Sequence, residues 1–420
     1  MATRRAYLLL AFLTLLHVLD NADRNLLLAF SLPIIRDLRM SYAEFSLLSG
    51  GAFVLFNSLA LLAAGYLADR LPRPRLMAAG LVLWSGMTAV SGLAGSFGQM
   101  AVVRALVGIG EAVLIPASLG LLSDIFPARQ RGTVLGIFFM GTPVGVAVSY
   151  FLAATLGPSL GWRTCFVALG LVGVALSAVL LLVRDPRPAA TPDAAAPPSE
   201  PVLRVLGRAL GSAGPLRYLL LGATLLMFSI GATVLDQVWL VRDKGFAEGV
   251  AQQIAGAFFL VGGMLGTWLG GVGGDWFSRR YVGGRLLFMG VVYALAGPIS
   301  MVVRVLPPDH LLFYPFVFVG CVNIMLAVSV PIAAATEVAP ERIRSTVIAF
   351  TILITNVFGY SLGSFLVGSL SDYFRRLGYA SPISWADLWI TVPVLPAVVC
   401  FYLAYRKQQA PARQPALAVQ

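Results

Sequence analysis

Apolar runs of about twenty residues recur from one end of this chain to the other, and no other feature limits its fold as tightly. About 20 residues of helix cross a hydrocarbon core of about 30 Å, and a helix satisfies every backbone N–H and C=O within one segment. Runs near 7–35, 43–67, 76–97, 101–126, 133–156 and 162–183 fill the first half. Runs near 216–241, 251–272, 286–306, 311–336, 346–370 and 388–405 fill the second. The pattern predicts an all-α membrane protein of twelve transmembrane helices in two six-helix halves. With 58% of residues hydrophobic and only 12% charged, no room remains for a soluble domain.

The formal charge of +11 could suggest a nucleic-acid partner, but the placement of the basic residues argues otherwise. Most Lys and Arg fall in loops on the side of the amino terminus, as the positive-inside rule describes for cytoplasmic loops. Both termini are therefore expected on the cytoplasmic side of a bacterial-type inner membrane. The first apolar run is too long for a signal peptide and no small-residue cleavage site closes it. Cys165, Cys321 and Cys400 fall in separate helices with no metal or redox spacing, and read as packing residues. Neither a Gly-x-x-x-x-Gly-Lys phosphate loop nor a His-Glu-x-x-His zinc helix occurs in the sequence, so an enzyme is a poor reading and no cofactor or metal is expected.

The Pro- and Ala-rich stretch 184–215 interrupts the apolar rhythm and reads as a cytoplasmic linker between halves 1–183 and 216–420. The halves repeat each other. Gly65, Asp69 and Arg73 after the second run match Gly271, Asp275 and Arg279 after the eighth. Asp124, Pro127, Arg129 and Arg131 after the fourth match Glu337, Pro340, Arg342 and Arg344 after the tenth. Equivalent positions in each half indicate a parallel duplication about an axis along the membrane normal. A simpler reading treats these charges as topology signals at helix ends.

Ionisable residues stand in the middle of the first run, at His17, Asp20, Asp23 and Arg24, and in the fourth, at Arg104 and Glu111. Each such residue costs about 2.5–3.5 kcal/mol at the centre of a membrane helix, so partners, water or a cavity must compensate. His17, Asp20 and Arg24 share one helix face, with Asp20 and Arg24 spaced to pair directly, while Asp23 can reach a neighbouring helix. Arg104 and Glu111 lie two turns apart, beside Gly108 and Gly110, which permit close helix approach. A carboxylate held between lipid and an arginine is suited to gaining and losing a proton. The plainer alternative makes Arg104 part of a structural ion network. Asn57, Asp236, Gln237, Asn323 and Asn356 are further polar residues within runs and candidates to line a central cavity. Trp162, Trp239, Trp276, Trp385 and Trp389 near run ends fit an interfacial belt.

Twelve runs in two repeats, with Gly65-x-x-x-Asp69-Arg70-x-x-Arg73 between the second and third, resemble the major facilitator superfamily. Asp23-Arg24 together with Arg104-x-x-x-Gly108-x-Gly110-Glu111 resembles two of its branches, spinster-like lipid transporters and organic anion:cation symporters. The segments 136–145 and 356–372 look more like the spinster branch. Asn21-Ala22 and the extra acid Asp20 depart from its pattern, and Gly141-Thr-Pro143-Val-Gly145 matches the drug:proton antiporter motif incompletely.

The resemblance implies that Arg24 engages an anionic head group and that Asp23 and Glu111 carry the coupling proton; Asp20, Asn57 and Asn356, polar residues within the runs, are further candidates for the substrate site. It implies a gate at Asp69, Arg73, Arg129 and Arg131, with Asp275 as its repeat. The expectation is a secondary active transporter of an amphiphilic or anionic small molecule, of the lysolipid or sphingolipid class. It would be proton-coupled and functional as a monomer in the bilayer. A sugar-acid or carboxylate:proton symporter is the alternative, and a non-transporting membrane receptor or assembly partner is a second.

Overall fold

The computed structural model describes residues 4–183, 185, 214–338 and 344–409, without the side chains of residues 62, 69, 128, 329 and 344–346. The linker expected at 184–215 falls almost wholly outside the described residues. Among the described residues, ten continuous helical segments are long and apolar enough to cross a bilayer. One of them, Arg129–Leu180, is two spans joined at Gly161, and Arg73–Ser91 supplies the remaining span.

The spans are α1 (Arg4–Ala29), α2 (Tyr42–Ala68), α3 (Arg73–Ser91), α4 (Phe97–Ile125), α5 (129–160) and α6 (162–180) in the first half. The second half holds α7 (Pro215–Arg242), α8 (Glu248–Arg280), α9 (Gly284–Val305), α10 (Phe313–Val338), α11 (Val347–Arg376) and α12 (Pro382–Gln409). An even number of crossings puts both described chain ends on one face, called here the terminal face; the other is the distal face.

Local sequence explains the breaks in this pattern. The first apolar run is longer than α1 because it includes a short helix, Ser31–Asp37, that leaves the span at the distal face. Between α5 and α6 the chain turns back at Gly161, whose φ of +73° lies in the left-handed region that only glycine adopts freely. Within α2 and α11 the segments Leu47–Ala52 and Thr355–Ser361 widen into π-type turns, a feature frequent at functional sites. Cys165, Cys321 and Cys400 are each buried.

Packing differs between the two faces. Toward the distal face, one hydrophobic core draws on both halves, uniting Leu26, Phe45 and Trp162 with Trp239, Val367 and Ile383. Toward the terminal face there are two separate cores, one around Leu13, Met77 and Leu121 and the other around Leu219, Met289 and Phe401. The halves are thus joined at one end and parted at the other.

Polar contacts reinforce the distal closure. Asp372 of α11 accepts hydrogen bonds from the backbone N–H groups of Tyr42 (3.3 Å) and Ala43 (2.9 Å) at the start of α2. A carboxylate at a helix N-terminus answers both the orphan N–H groups and the positive end of the helix dipole. Arg375 holds the same carboxylate at 2.8 Å and lies over the Tyr42 ring. Gln252 of α8 donates to the carbonyl of Ala29 across the same boundary at 2.9 Å.

Candidate functional site

Between the halves lies a cavity of about 370 Å³, whose wall includes Arg24, Asn57, Tyr150, Asp236, Asn356 and Tyr360. Most of the rest is apolar, including Leu28, Phe53, Met227, Leu240, Phe259 and Met325. A cavity with apolar walls and a few fixed polar groups is the usual form of a small-molecule site.

Its charged side is built by α1 and α4. Glycines seat α4 against α2 and α3, where a side chain would collide: a Cβ at Gly108 would lie 2.8 Å from the Phe53 carbonyl oxygen, and one at Gly110 2.8 Å from the Trp84 nitrogen. Arg24 donates to the Glu111 carboxylate through Nη2 at 2.9 Å and Nε at 3.3 Å. The Arg24 side chain is 39% exposed, whereas that of Glu111 is fully enclosed. One ring serves two cations, for the guanidinium carbons of Arg24 and Arg104 stand 4.8 Å and 5.2 Å from the centre of Phe53.

Asp23 points away from Arg24 and accepts from Arg104 Nη1 at 3.4 Å and from the Thr88 hydroxyl of α3. The direct Asp20–Arg24 pair that the spacing suggested does not form, because the guanidinium crosses to Glu111 instead. Asp20 lies 3.7 Å from His17 Nδ1 and accepts a long hydrogen bond from Asn21. Its Oδ1 and Glu111 Oε1 are both buried without a hydrogen-bond donor. Three carboxylates therefore share two guanidiniums in this network.

Asn57 donates to the Gly108 carbonyl at 2.9 Å, tying α2 to α4, and Asn356 donates to Ser58 at 3.3 Å, tying α11 to α2. Both still face the cavity.

At the terminal face Arg73 pairs with Asp124 and lies 4.0 Å from Asp185. Arg131 donates to the Phe126 carbonyl, and Arg129 is exposed. The side chain of Asp69 lies outside the described residues. Asp275 pairs with Arg285, which also holds Glu337. The contacts repeat only in part: Asp124 and its repeat equivalent Glu337 each pair with an arginine, but the partner is Arg73 in one half and Arg285, not the equivalent Arg279, in the other. The ion pairs described on this face join elements of the same half.

A further expectation needs correction. Trp162 and Trp239 do not belong to an interfacial belt. They are 4% and 2% exposed and donate to Asp37 and Ser384, whereas Trp276, Trp385 and Trp389 are exposed. Sequence reading also passed over Arg304 and Asp387, which with Asp236 form a second buried charge cluster in the other half.

Two six-helix halves, joined at one face and parted at the other around a charged central cavity, define a membrane carrier. Residues 13–364 match the family model of the Major Facilitator Superfamily, and the chain belongs to that family. It is a multi-pass membrane transporter. It is 28% identical over 409 residues to an MFS-type efflux pump of Mycolicibacterium smegmatis, covering 96% of this chain and 93% of that one. It is 26% identical to protein spinster homolog 3 of Danio rerio over 411 residues, covering 91% and 80%. A shorter match, 36% over 161 residues, links it to a probable L-galactonate transporter of Escherichia coli K12, covering 38% and 35%. In fold it is similar to the crystal structure of a bacterial homologue of the human lysosomal transporter Spinster in an inward-facing, unoccupied conformation. That likeness has a TM-score of 0.84 at 22% identity, covering 97% of this chain and 98% of the other.

Proposed function

We propose that the protein is a proton-coupled secondary transporter of an anionic amphiphile, of the lysolipid or sphingolipid class. It works as a monomer by alternating access in a bacterial inner membrane, with its terminal face toward the cytoplasm. The observation that carries this reading is Arg24. Its guanidinium is part-exposed to an otherwise largely apolar cavity while its carboxylate partner is fully enclosed. The N–H donors that the Glu111 pair leaves over, beside apolar walls, suit a ligand with an anionic head and a hydrocarbon tail.

The coupling follows from competition. A ligand anion at Arg24 takes donors now given to Glu111, and the released carboxylate, enclosed and without other donors, is stabilised by taking up a proton. Asp23, held by Arg104 and Thr88, is the second proton carrier, and Asp20, Asn57 and Asn356 position the ligand. The terminal-face charges Asp69, Arg73, Arg129, Arg131 and Asp275 form the gate that engages when the halves close on that side.

The test is reconstitution in liposomes with lysophosphatidylglycerol as probe. Glu111→Gln is expected to keep substrate exchange but lose accumulation driven by a pH gradient. Undiminished substrate-driven proton flux in Glu111→Gln would overturn the coupling role, and absence of flux in any assay would favour a receptor. A second reading, a sugar-acid:proton symporter, is supported by the similarity to the L-galactonate transporter. It predicts that galactonate, and not the lysolipid, stabilises the purified protein against unfolding.

A further inference from the structure

The second half holds a charge cluster that the transport reading does not use. In α7 a tighter helical segment, Gly231–Leu235, leads directly into Asp236. Arg304 stands in the last turn of α9 and Asp387 in α12. Arg304 Nη2 lies 2.8 Å from Asp236 Oδ1 and Nη1 lies 3.0 Å from Asp387 Oδ2. The guanidinium carbon sits 4.4 Å from the Trp239 ring centre, so an aromatic face covers the cation. The Asp387 side chain is fully enclosed and its Oδ1 has no hydrogen-bond donor.

A cavity of about 110 Å³ adjoins the cluster, lined by Asp236, Arg304, Tyr293, Asn323 and Thr391. Asn323 is 9% exposed, and its Nδ2 has no acceptor although it lines this space. Asp236 also lines the central cavity, which makes the two spaces neighbours through one carboxylate.

The charges do not balance. Two carboxylates face one guanidinium, and among the described residues the neighbouring cation, Lys244, comes with an acid of its own in the adjacent Asp243. On α7, Asp243 accepts from the Ser384 N–H, and the adjacent Lys244 gives its ammonium to the carbonyls of Arg304 and Leu306. The other titratable groups near the cluster are neutral acids, Tyr293 of α9 and Cys321 of α10 at the small cavity, and Tyr150 of α5 and Tyr360 of α11 at the central one. Arg24, across the central cavity, is committed to Glu111. An uncompensated charge held out of water costs several kcal/mol, and a proton removes it. A metal cation would need oxygen ligands converging from both carboxylates, but the guanidinium occupies the space between them.

We propose that Asp236, Arg304 and Asp387 form a second proton-binding site of the carrier, in its C-terminal half and distinct from the α1–α4 network. Asp387 Oδ1 takes the proton, while Arg304 keeps both carboxylates in register and Asp236 links the cluster to the adjoining space. Each half then holds one carboxylate more than its guanidiniums neutralise, and each carries one exchangeable proton. The site does not depend on proton transfer at Glu111.

The test uses the full chain in phosphatidylcholine nanodiscs and infrared difference spectroscopy between acid and alkaline pH, read at the protonated-carboxyl stretch. In the Glu111→Gln background, Asp387→Asn is expected to abolish a band that survives in Glu111→Gln alone, and to lower proton uptake by about one per chain. Asp387→Glu should restore the band at a shifted frequency. If Asp387→Asn does not fold, Asp236→Asn serves in its place and should displace the band by altering the hold of Arg304. An unchanged band in the variant measured would overturn the proposal. So would its loss when sodium replaces choline in the buffer, which would mark a metal-cation site. Failure of the Glu111 reading alone would leave this band in place.

Discussion

The two halves bury charge in opposite styles. In the first, two guanidiniums serve three carboxylates and one of them, Arg24, is left 39% exposed to the central cavity. In the second, a single guanidinium with 11% side-chain exposure clamps two carboxylates and is covered by an indole. An arginine widely open to a cavity can exchange partners, whereas one largely covered fixes its neighbours. The same residue type is thus left able to change partners in one half and held as scaffold in the other.

Removing each arginine tests that contrast. Arg304→Ala leaves Asp236 and Asp387 without their cation and is expected to cost about 3–5 kcal/mol of stability, the range for breaking a buried pair. Thermal unfolding in detergent measures it, and a smaller loss than in Arg24→Ala would erase the distinction. Arg24→Ala should instead appear in binding. Loss of charge-assisted hydrogen bonds worth about 1.5–3 kcal/mol weakens an anionic ligand roughly ten- to a hundredfold. Unchanged affinity for lysophosphatidylglycerol would remove Arg24 from the substrate site.

A third experiment carries the comparison to the distal boundary. Asp372→Asn keeps an acceptor at the start of α2 but removes the charge that answers the helix dipole, an effect of about 0.3–1 kcal/mol. Cysteine labelling from the distal side should rise a few-fold, and an unaltered labelling rate would mean that hydrophobic packing alone holds this face shut.

The smallest effect is expected at Asp37, in the short helix outside the spans. A hydrogen bond from the Trp162 indole, helped by Arg163, holds its carboxyl below the usual carboxylate range. A depressed value in the folded state contributes stability above the unfolded value, near 3.9, that is lost as pH falls through the folded one. The difference in melting temperature between the protein and Asp37→Asn should therefore shrink below about pH 4. A gap that widens on acidification would contradict the assignment.

What the sequence disclosed follows the same division. Asp23, Arg24 and Glu111 stand in the middle of apolar runs, where a charge is conspicuous whatever surrounds it. Arg304 and Asp387 sit at run ends, near 306 and 388, where charge ordinarily meets water. Their enclosure comes from the way α7, α9 and α12 converge, which no spacing along the chain records. The direct Asp20–Arg24 pair failed for a related reason. Helical periodicity put the two residues on one face, but the partner across the gap, Glu111, is set by the approach of α4. Which face is closed was not legible either, since it depends on which apolar surfaces of the two halves meet.

Asp372 reaches main-chain donors, and this gives the distal closure an unusual dependence on its two sides. Side-chain substitution in α2 cannot delete an amide N–H unless proline is introduced, so the interaction tolerates drift on one partner and hangs on a single position of the other. Opening that face exposes two N–H groups, and only water can replace the carboxylate they lose. The distal face should therefore part only as fast as water can follow it, which couples the rate of the conformational change to wetting of the crevice.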